Sequence, residues 1–275
     1  MRIAMNKPEL YNASNVLQRQ STLNCLAENS KHMNWERIGD SAIDIGCGDG
    51  SVSVLVKNFA PRGYKKFVAS DVSETMIEFA SKNYADEDIS FRVLNIEDDL
   101  LEDLKGGFNH VFSFYALHWV KNQEKAFRNI YDLLTDDGDI FVSLISNTAI
   151  YSIYKVLAHH PKWKTWLKNV DIFVSPYHDM QNPEIKVAEI VKKCGFKNVD
   201  VKCSPYTSVY DKLEELKNLV QSVEPFNMPQ DVFDEFFKDY YATGQQMGLI
   251  KISNCDGEVK RISYDYNLLI ICANK

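Results

Sequence analysis

The chain has 275 residues, 45% of them hydrophobic and 25% charged, which is ordinary for a globular protein and excludes a largely disordered one. Its 31 Lys and Arg against 38 Asp and Glu leave a formal charge of −7, a balance that repels phosphate polyanions, so no nucleic-acid partner is expected. Six scattered cysteines without a Cys-x-x-Cys pair, no leader-like run after Met1 and only strand-sized apolar stretches predict buried thiols, no metal site and a cytoplasmic protein without membrane insertion.

In chain order, Tyr11–Gln18 reads as a helix with Tyr11, Asn15 and Gln18 on one face. Ser41–Ile45 reads as a strand, Ser51–Phe59 as a helix with Val52, Leu55, Val56 and Phe59 inward, and Lys66–Ser70 as a second strand. Ser73 is placed to cap a helix that buries Met76, Ile77, Phe79 and Ala80. Ile89–Leu94 and His110–Phe114 read as further strands and Asn122–Leu134 as an amphipathic helix. Ile140–Ile145 is apolar throughout, as suits a strand in the middle of a sheet. Such alternation predicts an α/β fold with a mostly parallel, doubly wound sheet.

After Ser146 the rhythm changes. Tyr151–His159 and Trp163–Val170 read as helices and Phe173–Asp179 as an aromatic loop. Asn182 and Pro183 open a helix that Gly195 ends. Val199–Cys203 and Tyr264–Cys272 add strands, while Asp211–Ser222 and Gln230–Gln246 add helices. No Gly-, Ser- or Pro-rich linker interrupts the chain, so one domain over residues 1–275 is expected. Its core would be about 36–146 plus 183–205 and 262–275, a seven-stranded Rossmann-like sheet. A helical cap would come from the N-terminal helix, 147–182 and 211–260.

The most informative stretch is Asp44-Ile45-Gly46-Cys47-Gly48-Asp49-Gly50, where a strand breaks into alternating glycines before a helix. Glycine lets the backbone turn tightly and approach a ligand closely, and the helix start aims N–H groups at the same point. Asp71 closes the next strand, where a carboxylate can accept ribose hydroxyls. Ser51 stands where a dinucleotide fingerprint has its third glycine, and Asp44 opposes a pyrophosphate but favours the ammonium and sulfonium of S-adenosylmethionine. A bare turn and a nicotinamide-type site remain the alternatives.

These residues, with Ala69-Ser70-Asp71-Val72-Ser73 and Leu94-Asn95-Ile96-Glu97, resemble the class I S-adenosylmethionine-dependent methyltransferases. The resemblance implies cofactor contacts from Asp44, Gly46, Cys47 and Gly48, and from Asp71 and Val72 on the second strand. It also implies Asn95 and Ile96 at the adenine, Asn95 standing where the family usually has Asp, with Phe114 nearby. Met76 would pack on the adenine or ribose face, or simply in the core.

On the acceptor side, Phe114-Tyr115-Ala116-Leu117-His118-Trp119-Val120 follows the fourth strand, whose carboxyl end borders the ligand crevice. The Gln18 amide, the Trp119 indole and a His118 ring nitrogen are all N–H donors able to hold a carboxylate. Together with Asn6-Lys7-Pro8 and Ser175-Pro176-Tyr177-His178-Asp179, they resemble small-molecule carboxyl methyltransferases, more narrowly the insect juvenile hormone acid O-methyltransferases. The resemblance implies a methyl ester made from a small hydrophobic acid, with Gln18, Trp119 and His118 at the carboxylate. Tyr11, Asn15 and Tyr115 would line the acceptor site, and Trp163 and Trp166 would cover a tail or pack on the sheet. A binding protein without turnover, another small acceptor and a homodimer stay open.

Overall fold

The computed structural model describes residues 5–35, 38–61, 63–255 and 259–275. Its centre is a sheet whose strands are β1 (Ser41–Ile45), β2 (Lys66–Asp71), β3 (Ile89–Val93), β4 (Phe108–Phe114), β5 (Leu134–Thr148), β6 (Lys197–Tyr210), β7 (Ile250–Cys255) and β8 (Val259–Asn274). The order is β3-β2-β1-β4-β5-β8-β6, with β1 to β5 parallel and β8 antiparallel to both β5 and β6. Strand order reverses between β1 and β4, so a crevice opens at their carboxyl ends.

The helices are α1 (Pro8–Ser14), α2 (Val16–Asn29), α3 (Ser51–Phe59), α4 (Glu74–Tyr84), α5 (Gln123–Leu133), α6 (Ala149–Leu157), α7 (Pro183–Lys193), α8 (Leu213–Val223) and α9 (Gln230–Gln246). Three of their starts carry a side-chain cap. Ser73 accepts from Met76 N, Asn122 from Lys125 N and Thr148 from Ile150 N, so each satisfies an amide that the helix leaves unpaired. Apolar clusters fill both faces of the sheet, and a third, with Tyr and Phe from α6 and α9 packed on Leu216, Leu219 and Val220 of α8, forms the inside of the cap.

Four expectations need correction. The N-terminal helix breaks at Asn15, whose side chain donates to Asp49 and Ser51 while its backbone leaves the helical region. Residues 163–169 form turns and a bend before a short 3-10 helix at Val170–Ile172, because the i→i+4 bonds Lys164 N to His160 O and Leu167 N to Trp163 O do not run consecutively. Asn182 opens α7 from the left-handed region, φ +51°, without a capping bond from its side chain. The sheet gains an eighth strand, β7, which pairs with β8 beyond the core, so the cap is not purely helical.

Cys25, Cys47, Cys194 and Cys272 are buried free thiols and Cys203 is partly buried; the side chain of Cys255 lies outside those described. Among the described residues no helix is long and apolar enough to cross a membrane.

Candidate active site

The loop after β1 turns back on β2. Gly46 N and Cys47 N both donate to Ser70 O, at 2.7 and 2.8 Å, Gly48 N donates to the Asp71 carboxylate at 2.9 Å, and Gly50 N to Cys47 O at 3.1 Å. The amides of Gly46, Cys47, Gly48 and Gly50 are therefore taken up within the protein and are not free to cradle a phosphate. Gly46 is required sterically: at φ +77°, a Cβ there would stand 2.2 Å from Ala116 Cβ. Asp49, which the sequence did not single out, is fully buried and accepts from Asn12, Asn15 and Ser51, fastening α1 to the loop.

A cavity of about 460 Å³ lies over this loop, within the range of small-molecule sites. Five expected cofactor residues line it: Gly46, Asp71, Val72, Asn95 and Ile96. Asn95 is tied locally, its Nδ2 donating to Asp98 at 2.9 Å and its Oδ1 accepting from Glu97 N. Asp71 accepts from Gly48 N and Ser73 N, while burial pushes its carboxyl above the usual range.

The other expected cofactor residues stand back from the cavity wall. Met76 is completely buried on the inner side of α4, and Phe114 stacks on Phe112 and meets Phe141 at a tilt, so both are core. Cys47 is buried and acts through its backbone, as does Gly48. Asp44 lies beneath the loop, 1% exposed, with Oδ2 accepting from Ser53 Oγ at 2.6 Å and Oδ1 without a partner among the described residues. Burial and then the Asp71 charge push its pKa up to about 7. An unpartnered buried carboxylate oxygen beneath the cavity, with Asp71 on its wall, fits a cationic nucleoside such as S-adenosylmethionine.

A second, narrower cavity of about 60 Å³ adjoins the first. Gln18, His118 and Trp119 all line it, as do Tyr11 and Tyr115. Met5, Tyr11, Tyr115 and Trp119 line both cavities and form the joint between them. The Gln18 Oε1 atom is buried without a partner among the described residues. His118 is 3% exposed; burial and then the nearby Lys121 charge pull its pKa down to about 3, so the ring is neutral. Its Nδ1 faces Ile145 N–H at 3.5 Å, which leaves the ring proton on Nε2. Tyr115 holds the turn in the left-handed region, φ +52°, with its hydroxyl on Ser21 Oγ at 2.7 Å.

The structure does not bring Asn15, Trp163 or Trp166 to this cavity. Asn15 braces Asp49. Trp163 is 2% exposed, its indole N–H donates to Asp239 and its ring meets Phe236 edge-on, so it belongs to the cap core. Trp166 lies at the surface, 39% exposed. In their place the wall is made by Tyr151 and Tyr154 of α6, Phe173, Leu219 and Val223 near α8, and Tyr264 of β8. Sequence reasoning missed these because an apolar residue at helical or strand spacing looks the same whether it fills core or lines a cavity.

Residues 43–142 match the methyltransferase domain family. The chain is 44% identical over 272 residues to juvenile hormone acid O-methyltransferase of Bombyx mori, covering 98% of each chain. It is 34% identical over 279 residues to the protein of that name from Drosophila melanogaster, covering 98% of this chain and 93% of that one. Among solved structures, phosphoethanolamine N-methyltransferase 2 of Haemonchus contortus is similar with a TM-score of 0.59 at 17% identity. That match covers 98% of this chain and 57% of the other, and it speaks to the fold alone.

Proposed function

The chain belongs to the juvenile hormone acid O-methyltransferase family, and from that premise we propose that it esterifies the carboxylate of a small hydrophobic acid of the juvenile hormone acid or farnesoic acid type. The cofactor is S-adenosylmethionine, which supplies an electrophilic methyl group on a sulfonium. The observation that carries the reading is the meeting of two cavities, one suited to a cationic nucleoside and one bringing Gln18, His118 and Trp119 to an apolar wall.

In this reading Asp71 accepts the ribose hydroxyls, Asn95 and Ile96 border the adenine, and the Asp44 charge acts from below. Gln18, the Trp119 indole and His118 Nε2–H donate to the acceptor carboxylate. That acid, with an ordinary pKa near ~4, is already ionised at neutral pH and needs no base. A His118 ring that stays neutral down to about pH 3 accords with this, since it offers a donor and takes up no proton. Neutral donors orient the nucleophile without holding its charge as tightly as an Arg would. Positioning of this kind can lower a barrier by up to ~7–11 kcal/mol.

The apolar wall keeps water out and binds the tail, at roughly 0.8 kcal/mol per buried CH₂. The inner cavity measures about 60 Å³, enough for the head of such an acid, and Phe173, Leu219 and Val223 are on its wall where the tail would begin. Incubation with methyl-labelled S-adenosylmethionine and a panel of lipophilic acids tests the proposal. Labelled ester is expected from isoprenoid acids. Cofactor binding without ester from any acid would instead leave a binding protein.

A further inference from the structure

Three side chains tie the cap segment 171–178 to the turn that follows β4. Gln123, 5% exposed at the start of α5, donates from Nε2 to Leu117 O at 2.7 Å and to Val120 O at 2.8 Å. It thus brackets both ends of the turn that carries His118 and Trp119. Its Oε1 accepts the Tyr177 hydroxyl at 3.2 Å, and Tyr177 is itself 2% exposed. Lys121 donates to Asp171 O at 3.1 Å and also to Val174 O. The intervening Ile172 and Phe173 line the two cavities, one each.

The opposite side of the turn is fixed as well. Ala116 presses on Gly46, where even one added carbon would meet it at 2.2 Å, and Tyr115 adopts its left-handed backbone. The turn is therefore held between the glycine loop and the cap, and the cap's hold passes through the Lys121 ammonium and the buried Gln123 amide. Both halves of the Gln123 amide are used: its N–H₂ donates to two carbonyls and its oxygen accepts from a phenol, a set that neither Glu nor Leu can reproduce.

We propose that Gln123, supported by Tyr177 and Lys121, is a positioning residue that sets the Trp119 and His118 donors against the acceptor carboxylate. This rests on the reading above, in which those donors orient the acid. It also gives the Ser175–Asp179 segment a role the cofactor site does not: its Tyr177 transmits the cap's position to the reacting end.

The test combines kinetics with a spectrum that is independent of turnover. In protein labelled with 5-fluorotryptophan, the four tryptophans give separate ¹⁹F signals, and Trp119 is assigned by its loss in Trp119→Phe. Gln123→Glu keeps the shape but has no N–H to donate. It is expected to shift or broaden the Trp119 signal and to raise KM for farnesoic acid about tenfold, in line with two lost hydrogen bonds. S-adenosylmethionine affinity should stay within about twofold, since Gln123 lines neither cavity. Tyr177→Phe removes one hydroxyl and keeps the ring, so it carries the test if Gln123→Glu does not fold; it should act in the same direction by about threefold. An unmoved Trp119 signal, or acid kinetics unchanged within twofold in a variant that has only lost stability, overturns the proposal. Should the unmodified protein esterify no acid, the reaction reading falls, while the ¹⁹F spectrum still decides whether Gln123 holds the turn.

Discussion

Two buried histidines stand at opposite ends of β4 and answer to opposite surroundings. His110, 1% exposed, lies between two carboxylates, with Nδ1 2.6 Å from Asp139 Oδ1 and Nε2 2.9 Å from Asp40 Oδ2. Burial opposes its charge, yet Asp139 and Asp40 raise its pKa overall. Trp35 stacks on the ring at 5.7 Å. His118 has no carboxylate partner among the described residues and stays neutral. At the end away from the crevice His110, Asp40 and Asp139 pair with one another, whereas at the crevice end Gln18 Oε1 and Asp44 Oδ1 have no partner among the described residues. Gln18 also lines the narrower cavity, so its unmatched oxygen is open to a ligand.

The largest effect should come from breaking the satisfied end. His110→Ala would leave two buried carboxylates without their shared cationic partner and is expected to lower unfolding stability by about 3–5 kcal/mol in urea titration, with the acid KM little changed. The sign with pH follows from the raised pKa. The stabilisation from His110 is full below the ordinary histidine range and is lost as pH rises through the folded-state value, so the urea midpoint should fall from neutral to alkaline pH, and this component should vanish in the variant.

At the other end, Gln18→Ala or Trp119→Ala should cut kcat/KM about 100-fold, near 2.7 kcal/mol, while S-adenosylmethionine affinity measured by calorimetry is nearly unchanged. Equal losses in both quantities would show that these side chains serve the cofactor instead. A smaller effect concerns Asp44, whose folded-state pKa of about 7 lies above the ordinary carboxylate range. Its protonation stabilises the cofactor-free fold below about pH 4, and that contribution is lost as pH rises through 7. A cationic cofactor should displace the proton. Affinity is then expected to tighten from pH 6 towards 8, by at most about tenfold per unit, and Asp44→Asn should flatten the trend.

The same contrast explains what could be read from the chain. Strand and helix alternation over 41–145 gives the parallel half of the sheet directly, because each element buries its own periodic face. The glycine loop, Asp71 and the Gln18–Trp119 pairing were legible because their residue types are chemically specific. Met76, Phe114 and Trp163 were not separable from core, since an apolar side chain carries no sign of which way it will face. The link of His110 to Asp40 and Asp139 stayed hidden for a different reason. Its partners come from other strand ends, and only register across the sheet brings them together.

One long element bears on how the acceptor site can change over time. β8 runs for 16 residues, about 50 Å at strand rise, pairing with β5 in the core at one end and with β7 under the cap at the other. Tyr264 sits on it, so that side of the acceptor wall is bonded into the same rod as the deepest layer of the molecule. Leu219 and Val223 belong to α8, which shares no strand pairing with that rod. Divergence towards longer, shorter or branched acids is therefore cheapest on α8, where exchanging a few side chains leaves the scaffold's register untouched.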